Sequence, residues 1–428
     1  MQWLIGNRLK FGSSIALALL ASFLVLITYG IERTSFGLLI GLYTAAFVCY
    51  AWIVQKGRLT HVKTIIVCGA MIRLLLVFAW PNLTDDYHRF VWDGMIATEG
   101  ISPYDCKPSE LKEQFPALAS TYEGLNSPDY YTVYPPVNQA IFALSALTGK
   151  VYTTVVSMKM VIWVAEIITM CLLVSLLRSR EKDEHLVVYY AFNPLIILEF
   201  CGNLHFEALA IMFVLTAVYW LGKRKQTPAI LSMTLAVCTK LNPLLFLPYL
   251  VSKKRLTAQV VFVISVLVLS GLFFLFFYTP DMFPHMAESV QLYFGSFEFN
   301  ASLAWLHYRY ESVVLKIILN IAFLAGAYVI YRKNEMPVMN KLFWIYLIYL
   351  LVSQSVHPWY LGPLLAFSLF TTYRFAYLWS YLIFFTYITY SVEPYEQNRI
   401  IIAMEYVLVA GYAGYEWFVK KKSNAKNA

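Results

Sequence analysis

Charge is scarce in this sequence. Only 14% of its 428 residues are Asp, Glu, Lys or Arg, against about 25% in an ordinary soluble domain. A chain that is 60% hydrophobic cannot cover itself with water-facing side chains, so lipid supplies much of its solvent. Metal-site patterns are missing too. The six cysteines (Cys49, Cys68, Cys106, Cys171, Cys201, Cys238) contain no CxxC pair. Most lie in apolar runs, where Cys behaves as a small hydrophobe; a Cys106–Cys201 bridge on the outer side is conceivable but not expected. No His-x-x-x-His or His-x-x-Glu spacing points to a metalloenzyme. No cofactor is required on these grounds, and a divalent metal is allowed but not indicated. No tandem repeat, low-complexity tract or appended soluble domain is present. No small-residue cleavage site ends the apolar stretch 13–29, which reads as a first span acting as its own targeting signal.

The positive charge that is present has a pattern. A net charge of +8 could suggest a nucleic-acid partner, but the Lys and Arg fall in short clusters between apolar runs. These are Arg8 and Lys10; Lys56, Arg58 and Lys63; Arg178, Arg180 and Lys182; Lys223 to Lys225; Lys253 to Arg255; Arg332, Lys333 and Lys341; Arg374; and Lys420 to Lys422 with Lys426. Every second loop is basic, as topology signalling requires, and no nucleic-acid partner is needed. Both termini are then cytoplasmic. The 17% aromatic content suits a protein with two membrane–water interfaces. The fold class expected is an all-α polytopic membrane protein of about 12–14 transmembrane segments, forming one membrane-embedded domain over 1–428. The segments are 13–30, 37–54, 63–80, 151–177, 186–200, 205–222, 227–239, 241–252, 257–278, 311–331, 341–356, 358–373, 376–391 and 399–419.

Both flanks of 227–252 are basic, yet the segment is too short for two full crossings, and Pro243 interrupts it. Two short helices meeting near the outer leaflet are expected. Lys240 should then line a cavity, because non-helical backbone at that depth needs one or burial in protein. Two outer segments are long, 81–150 and 279–310, and loops of that length are usually functional or disordered. The first is rich in aromatics, Pro and Asp, so it should be ordered. Within it, Asp86 to Thr98 reads as a helix, capped by Thr84 or Asp85 and stopped at Gly100. Asp86, Arg89, Phe90, Asp93 and Ala97 share a face of that helix.

Five of the seven His map to the outer side: His88, His205, His285, His307 and His357. Glu199 and Glu207 flank Asn203 and His205; Glu199 could polarise His205 or join Asp86 in a metal site, and Glu207 is expected to face water. Arg73 and Glu166 lie deep in consecutive spans, where charge is costly, and a mutual salt bridge is the plain reading. Lys159 and Lys316 sit nearer the outer ends, placed to snorkel or to reach a lipid phosphate.

The densest constellation runs from Leu83 through Thr84, Asp85, Asp86, Arg89, Trp92 and Asp93 to Gly94, then Gly100-Ile101-Ser102-Pro103-Tyr104. With Tyr134-Pro135-Pro136, Asn193-Pro194, Glu199, Asn203, His205, Lys240, Pro243 and His357-Pro358-Trp359-Tyr360, it resembles the GT-C superfamily of membrane glycosyltransferases. The nearest likeness is to bacterial polyprenol-phosphate-mannose-dependent mannosyltransferases; a looser one is to the catalytic subunit of the first mannosyltransferase of GPI-anchor assembly. The acidic pair follows the third expected span here, whereas many relatives have it after the first.

The resemblance implies an inverting enzyme that moves a hexose, mannose above all, from a polyprenyl-phosphate donor to a glycan or glycolipid acceptor at the non-cytoplasmic face of a bacterial plasma membrane. Asp86 would be the general base and Asp85 the fallback. Arg89 and Asp93 would organise the site or bind sugar hydroxyls, with Trp92, Tyr104, His205 and Tyr360 as further substrate-binding positions. Lys240, His357 and Arg309 would hold the donor phosphate. The chemistry fits: an acceptor hydroxyl needs a base, worth about 10²–10⁴-fold in rate, while the phosphate leaves as a stable anion that cations stabilise. Two other classes fit less well. A transporter or flippase of lipid-linked sugars would show repeated halves and midplane charges; only Arg73 and Glu166 speak for it. A non-catalytic subunit of a glycosylation complex would not turn over donor alone.

Overall fold

The structure, a computed structural model, describes residues 2–56, 61–250 and 256–427. Arg58 and Lys253 to Arg255 lie outside the described residues, as do the side chains of Arg8, Lys10, Lys421, Lys422 and Lys426. The main helices are α1 (Gln2–Gly30), α2 (Phe36–Lys56), α3 (Val62–Val77), α4 (Asp86–Thr98), α5 (Pro136–Ala146) and α6 (Val151–Arg178). They continue with α7 (Glu207–Gly222), α8 (Gln226–Thr239), α9 (Leu256–Leu275), α10 (Met282–Ser296), α11 (Val313–Arg332), α12 (Val338–Val352), α13 (Leu361–Ser368), α14 (Phe375–Leu382) and α15 (Arg399–Asn427). No strand forms among the described residues; a single parallel bridge joins Phe299 to Ser355.

The all-α polytopic architecture is therefore what the sequence implies, but its helices differ in length from the expected spans. Among the described residues, five are long and apolar enough to cross a bilayer: Gly12–Gly30, Phe36–Lys56, Val151–Arg178, Thr257–Leu275 and Val313–Arg332. A sixth arises if Glu184–Ala191 and Pro194–Gly202, bent by 57°, count as one broken span. Of the other expected segments, 399–419 lies in the 29-residue α15, which is too polar to count as a span, and the rest form shorter helices. Proline explains several: Pro194 and Pro358 each start a new short element and Pro243 is the second residue of one, because proline lacks the N–H that would continue the preceding turn. The long helices are amphipathic in the membrane sense. On α2, Leu39, Tyr43, Ala46, Tyr50 and Ile53 form one buried stripe, while Leu38 and Val48 stay exposed on a surface suited to lipid.

One ion pair and one lysine–carbonyl contact tie α3 to its neighbours. Arg73 Nε donates to Glu166 Oε2 at 3.0 Å with both side chains fully buried, so the expected bridge forms. Arg73 also donates to the carbonyls of Gly69 (3.1 Å) and Ala191 (2.6 Å), and Tyr190 Oη donates to Glu166 at 2.8 Å. The pair is locked by helix-to-helix bonds rather than open to a pathway. Lys159 corrects its reading. It is fully buried, and its ammonium caps the end of α3 by donating to the carbonyls of Leu76 (2.8 Å) and Ala79 (2.7 Å), so it neither snorkels nor meets a lipid. The orphan carbonyls that end every helix are what draw it in. Lys316 is exposed.

The 81–150 loop is built on α4, whose bounds match the sequence expectation residue for residue. Thr84 Oγ1 accepts from the Asp86 amide at 3.2 Å. At the other end Gly100 takes φ +81°, with Gly100 N to Ala97 O and Ile101 N to Ile96 O both at 3.1 Å. That paired closure needs a left-handed residue, which glycine adopts without strain. Gly94 lets α4 press on α5: a Cβ there would sit 2.5 Å from the Phe142 carbonyl oxygen. The 279–310 segment then clips onto this loop. His285 bonds the Tyr104 carbonyl at 2.9 Å and stacks on Tyr131, and Lys107 pairs with Glu288 at 3.3 Å. All cysteines are free; Cys201 is buried and Cys106 half-buried, so no bridge joins them.

Candidate active site

Asp86 is the first residue of α4 and points its carboxylate toward three other elements. Oδ1 accepts from Asn126 Nδ2 at 3.2 Å, and Oδ2 lies 4.0 Å from His205 Nε2. Burial pushes the Asp86 carboxyl above the usual carboxylate range; His205, Lys240 and the Asn126 bond oppose the rise, and Glu207 adds to it. Desolvation favours the neutral acid, and nearby cations favour the anion.

His205 is positioned by an unusual piece of backbone. After Pro194 the chain widens into a π-helical turn, Ile197–Gly202, and Leu204 takes φ +66°, a strained conformation for a branched side chain. Such strain and such widened turns collect at functional sites. The turn delivers Glu199 beneath the imidazole. His205 Nδ1 lies 2.8 Å from the Glu199 carbonyl oxygen, which only accepts, so Nδ1 carries the proton. The Glu199 carboxylate is 3.4 Å from the same nitrogen and is itself held by Tyr387 Oη (2.9 Å) and Asn203 (3.2 Å). Nε2 is buried with no hydrogen-bond partner and faces Asp86. Glu199 thus orients His205, one of the alternatives left open by the sequence. Among the described residues no group of three His, Cys, Asp or Glu side chains could hold a metal ion.

Lys240 follows the last residue of α8 in an extended conformation, where the two short helices meet as expected. Its ammonium forms an ion pair with Glu207, the first residue of α7, and sits 5.6 Å from the Tyr360 ring centroid. Glu207 corrects its reading: it is 1% exposed and paired, not water-facing. The carboxylate is drawn in by the unpaired amides at the start of α7 as well as by Lys240.

A stacked column of rings backs this cluster. His205 lies on Trp359 (centroids 3.7 Å apart, planes 13°), Trp359 on His357 (4.4 Å, 6°), and His357 on Phe299 (4.5 Å, 16°). Burial, aided by His205 and Lys240, pushes His357 down to about 3. His357 is therefore a neutral ring near pH 7, able to donate a hydrogen bond but not to supply charge.

The other sequence candidates are placed differently. Asp85 turns away from Asp86 and pairs with Arg33 at 2.5 Å. Arg89 and Asp93 are buried and braced together at 2.7 Å; Arg89 also donates to the Tyr130 carbonyl (2.8 Å), and Asp93 accepts from Gln139 (2.9 Å). They organise the loop. Trp92 is 1% exposed, packed on Phe115 and Tyr122, and Tyr104 is wholly buried with its hydroxyl on the Tyr134 carbonyl, so these rings act as the loop's core. Arg309 is exposed at the end of the short helix Ala304–Arg309, and no contact among the described residues links it to Asp86. Sequence reading missed Arg33 and Asn126, and it quoted Trp359 only within a motif, with no role of its own. Arg33 had a signal, an arginine on the short turn 31–35 that should be an outer loop and so should lack basic residues.

Fold and site together define an all-helical membrane protein whose acidic loop is set against an imidazole and an ammonium. The chain belongs to the MptA/B family, described as alpha-(1->6)-mannopyranosyltransferase, N-terminal domain, which it matches over residues 13–254. That range contains Asp85, Asp86, His205 and Lys240, and it takes in the N-terminal spans that precede the acidic pair. No curated protein and no solved structure matches the chain.

Proposed function

We propose that this mannosyltransferase moves mannose from a polyprenyl-phosphate donor to a hydroxyl of a glycan or glycolipid acceptor, with inversion, at the non-cytoplasmic face of the membrane. The α-(1→6) linkage of the family description is the linkage we assign to its product. The observation that carries the reading is the convergence of Asp86, His205 and the Lys240–Glu207 pair from α4, the π-turn, α8 and α7. Asp86 takes the acceptor hydroxyl proton as that oxygen bonds the anomeric carbon. The bond from the anomeric carbon to the phosphate oxygen breaks, and polyprenyl phosphate leaves with the electron pair. A carboxyl raised by burial is a better base than an ordinary aspartate, and Lys240 supplies a cation for the leaving phosphate. His205 turns Nε2 to Asp86, and in its doubly protonated form it steadies the carboxylate before transfer. His357 and Tyr360 border the Lys240 side of the site, and no cofactor enters the scheme.

The test is consumption of radiolabelled polyprenyl-phosphate-mannose by purified protein in lipid, with Asp86→Asn beside it. Consumption by wild type and not by the variant supports the proposal. Full transfer by both Asp85→Asn and Asp86→Asn, properly inserted, would falsify the assignment of the base. Movement of labelled lipid across the membrane without consumption would favour a flippase instead.

A further inference from the structure

The hairpin α7–α8 has two ends. One carries Glu207 and Lys240 of the site above. The other, 16 residues along α7 and so about 24 Å away at about 1.5 Å per residue, opens on a cavity of about 1030 Å³. Its charged lining is Arg180, Arg224 and Lys341 against the one carboxylate of Glu335; Val218, Leu221 and Leu250 supply an apolar wall. Three cations beside an apolar wall suit an amphiphile with an anionic head, and basic pockets between helices at the cytoplasmic side of membrane proteins accept such headgroups.

The two arginines are prepared for this. Arg180 Nη1 donates to the Leu176 carbonyl (3.1 Å) and Ser179 Oγ (3.2 Å), and its guanidinium lies 5.6 Å from the Phe370 ring. It is anchored on one side, with its remaining donors available for a phosphate fork. Arg224 is exposed and takes φ +59° at the close of α7, with Arg224 N on Leu221 O (3.0 Å) and Lys225 N on Trp220 O (2.9 Å). A glycine would fill that left-handed closing position without strain. Holding arginine there points to use of its side chain. Lys341 is nearly buried and donates to the Tyr331 carbonyl at 3.4 Å, forming the floor.

We propose that this cavity binds the phosphate-bearing headgroup of an anionic bilayer phospholipid, its acyl chains lying along the apolar wall. The site is separate from the transferase centre and does not depend on that reading. The experiment is thermal unfolding of the purified full chain in detergent with phosphatidylglycerol, phosphatidylcholine or inorganic phosphate added. Phosphatidylglycerol should raise the midpoint of wild type and of Lys223→Gln, a neighbouring cation outside the lining. The shift should be lost in Arg224→Gly, which relieves the backbone while removing the charge, and in Arg180→Gln. An unchanged midpoint of unliganded Arg224→Gly shows that the variant folds. Retention of the shift in both lining variants, or its equal loss in Lys223→Gln, overturns the proposal in favour of diffuse attraction to the basic loops. A shift reproduced by inorganic phosphate overturns the lipid assignment.

Discussion

Arg33 reaches across 52 positions of sequence to hold Asp85 at 2.5 Å, while Asp86, the next residue, is left facing His205. The adjacent carboxylates therefore do different work. One is tied to the α1–α2 turn, where the Tyr390 ring centroid lies 4.6 Å from the same guanidinium; the other, free of that tie, is the carboxylate we propose as the base.

Substitution should separate them. Asp86→Asn should lower kcat by about 10²–10⁴-fold, the usual worth of a general base. Asp85→Asn and Arg33→Gln should each cost less, and the double variant should cost no more than the worse single, because both remove one bond. Steady-state transfer rates with the four proteins check this.

The pH profile should carry the mark of Asp86. The base works as the anion, so activity is lost as pH falls through its pKa, and burial raises that pKa. The acid limb of kcat/KM should then lie above the value of about 3.9 for an unperturbed aspartate. Lys240→Met removes a cation that favours the anion, so the limb should move up in pH. Glu207→Gln removes a like charge, so it should move down. Profiles of the two variants test the sign as well as the presence of the coupling.

The Arg73–Glu166 pair should matter for stability. Removing one partner of a buried pair strands the other charge and costs about 3–5 kcal/mol. Glu166→Gln should accordingly unfold well below wild type, and Arg73→Met with Glu166→Leu should recover much of the loss. Melting curves in detergent decide it.

Gly94→Ala should fail for a steric reason. The new methyl would meet the backbone of Phe142 on α5, at 2.5 Å from oxygen and 2.8 Å from carbon, and backbone cannot rotate aside. A cost of about 1–3 kcal/mol, typical of overpacking, should accompany loosening of the 81–150 loop, read as faster proteolysis there and lower transfer.

What the sequence made legible follows the range of the forces involved. Helix 86–98 could be bounded because its start and stop signals, Thr84 and Gly100, are local. Arg73 and Glu166 could be paired because two charges at matching depth in consecutive spans have few other partners. Span lengths were less legible, since a proline such as Pro194 or Pro358 breaks a hydrophobic run without lowering its hydropathy. Glu207 was misread because its partner, Lys240, is 33 positions away. Trp92 and Tyr104 stood out in the motif, but a motif does not tell whether a ring lines a surface or fills an interior. The column of His205, Trp359, His357 and Phe299 left no periodic trace, because its rings come from three separate turns, with only His357 and Trp359 sharing one.

That column crosses a seam in the chain. His205 belongs to the stretch matched by the family, while Trp359, His357 and Phe299 lie beyond residue 254. A fragment ending there would keep Asp86, Glu199, Glu207 and Lys240 but lose His357 and the Trp359 ring, so the imidazole would have nothing flat to rest on. The tilt of the histidine, and with it the aim of Nε2, is set jointly by the Glu199 carbonyl and by the Trp359 ring from the far half of the polypeptide. One imidazole is therefore held from both sides of position 254, by the Glu199 carbonyl before it and the Trp359 ring after it.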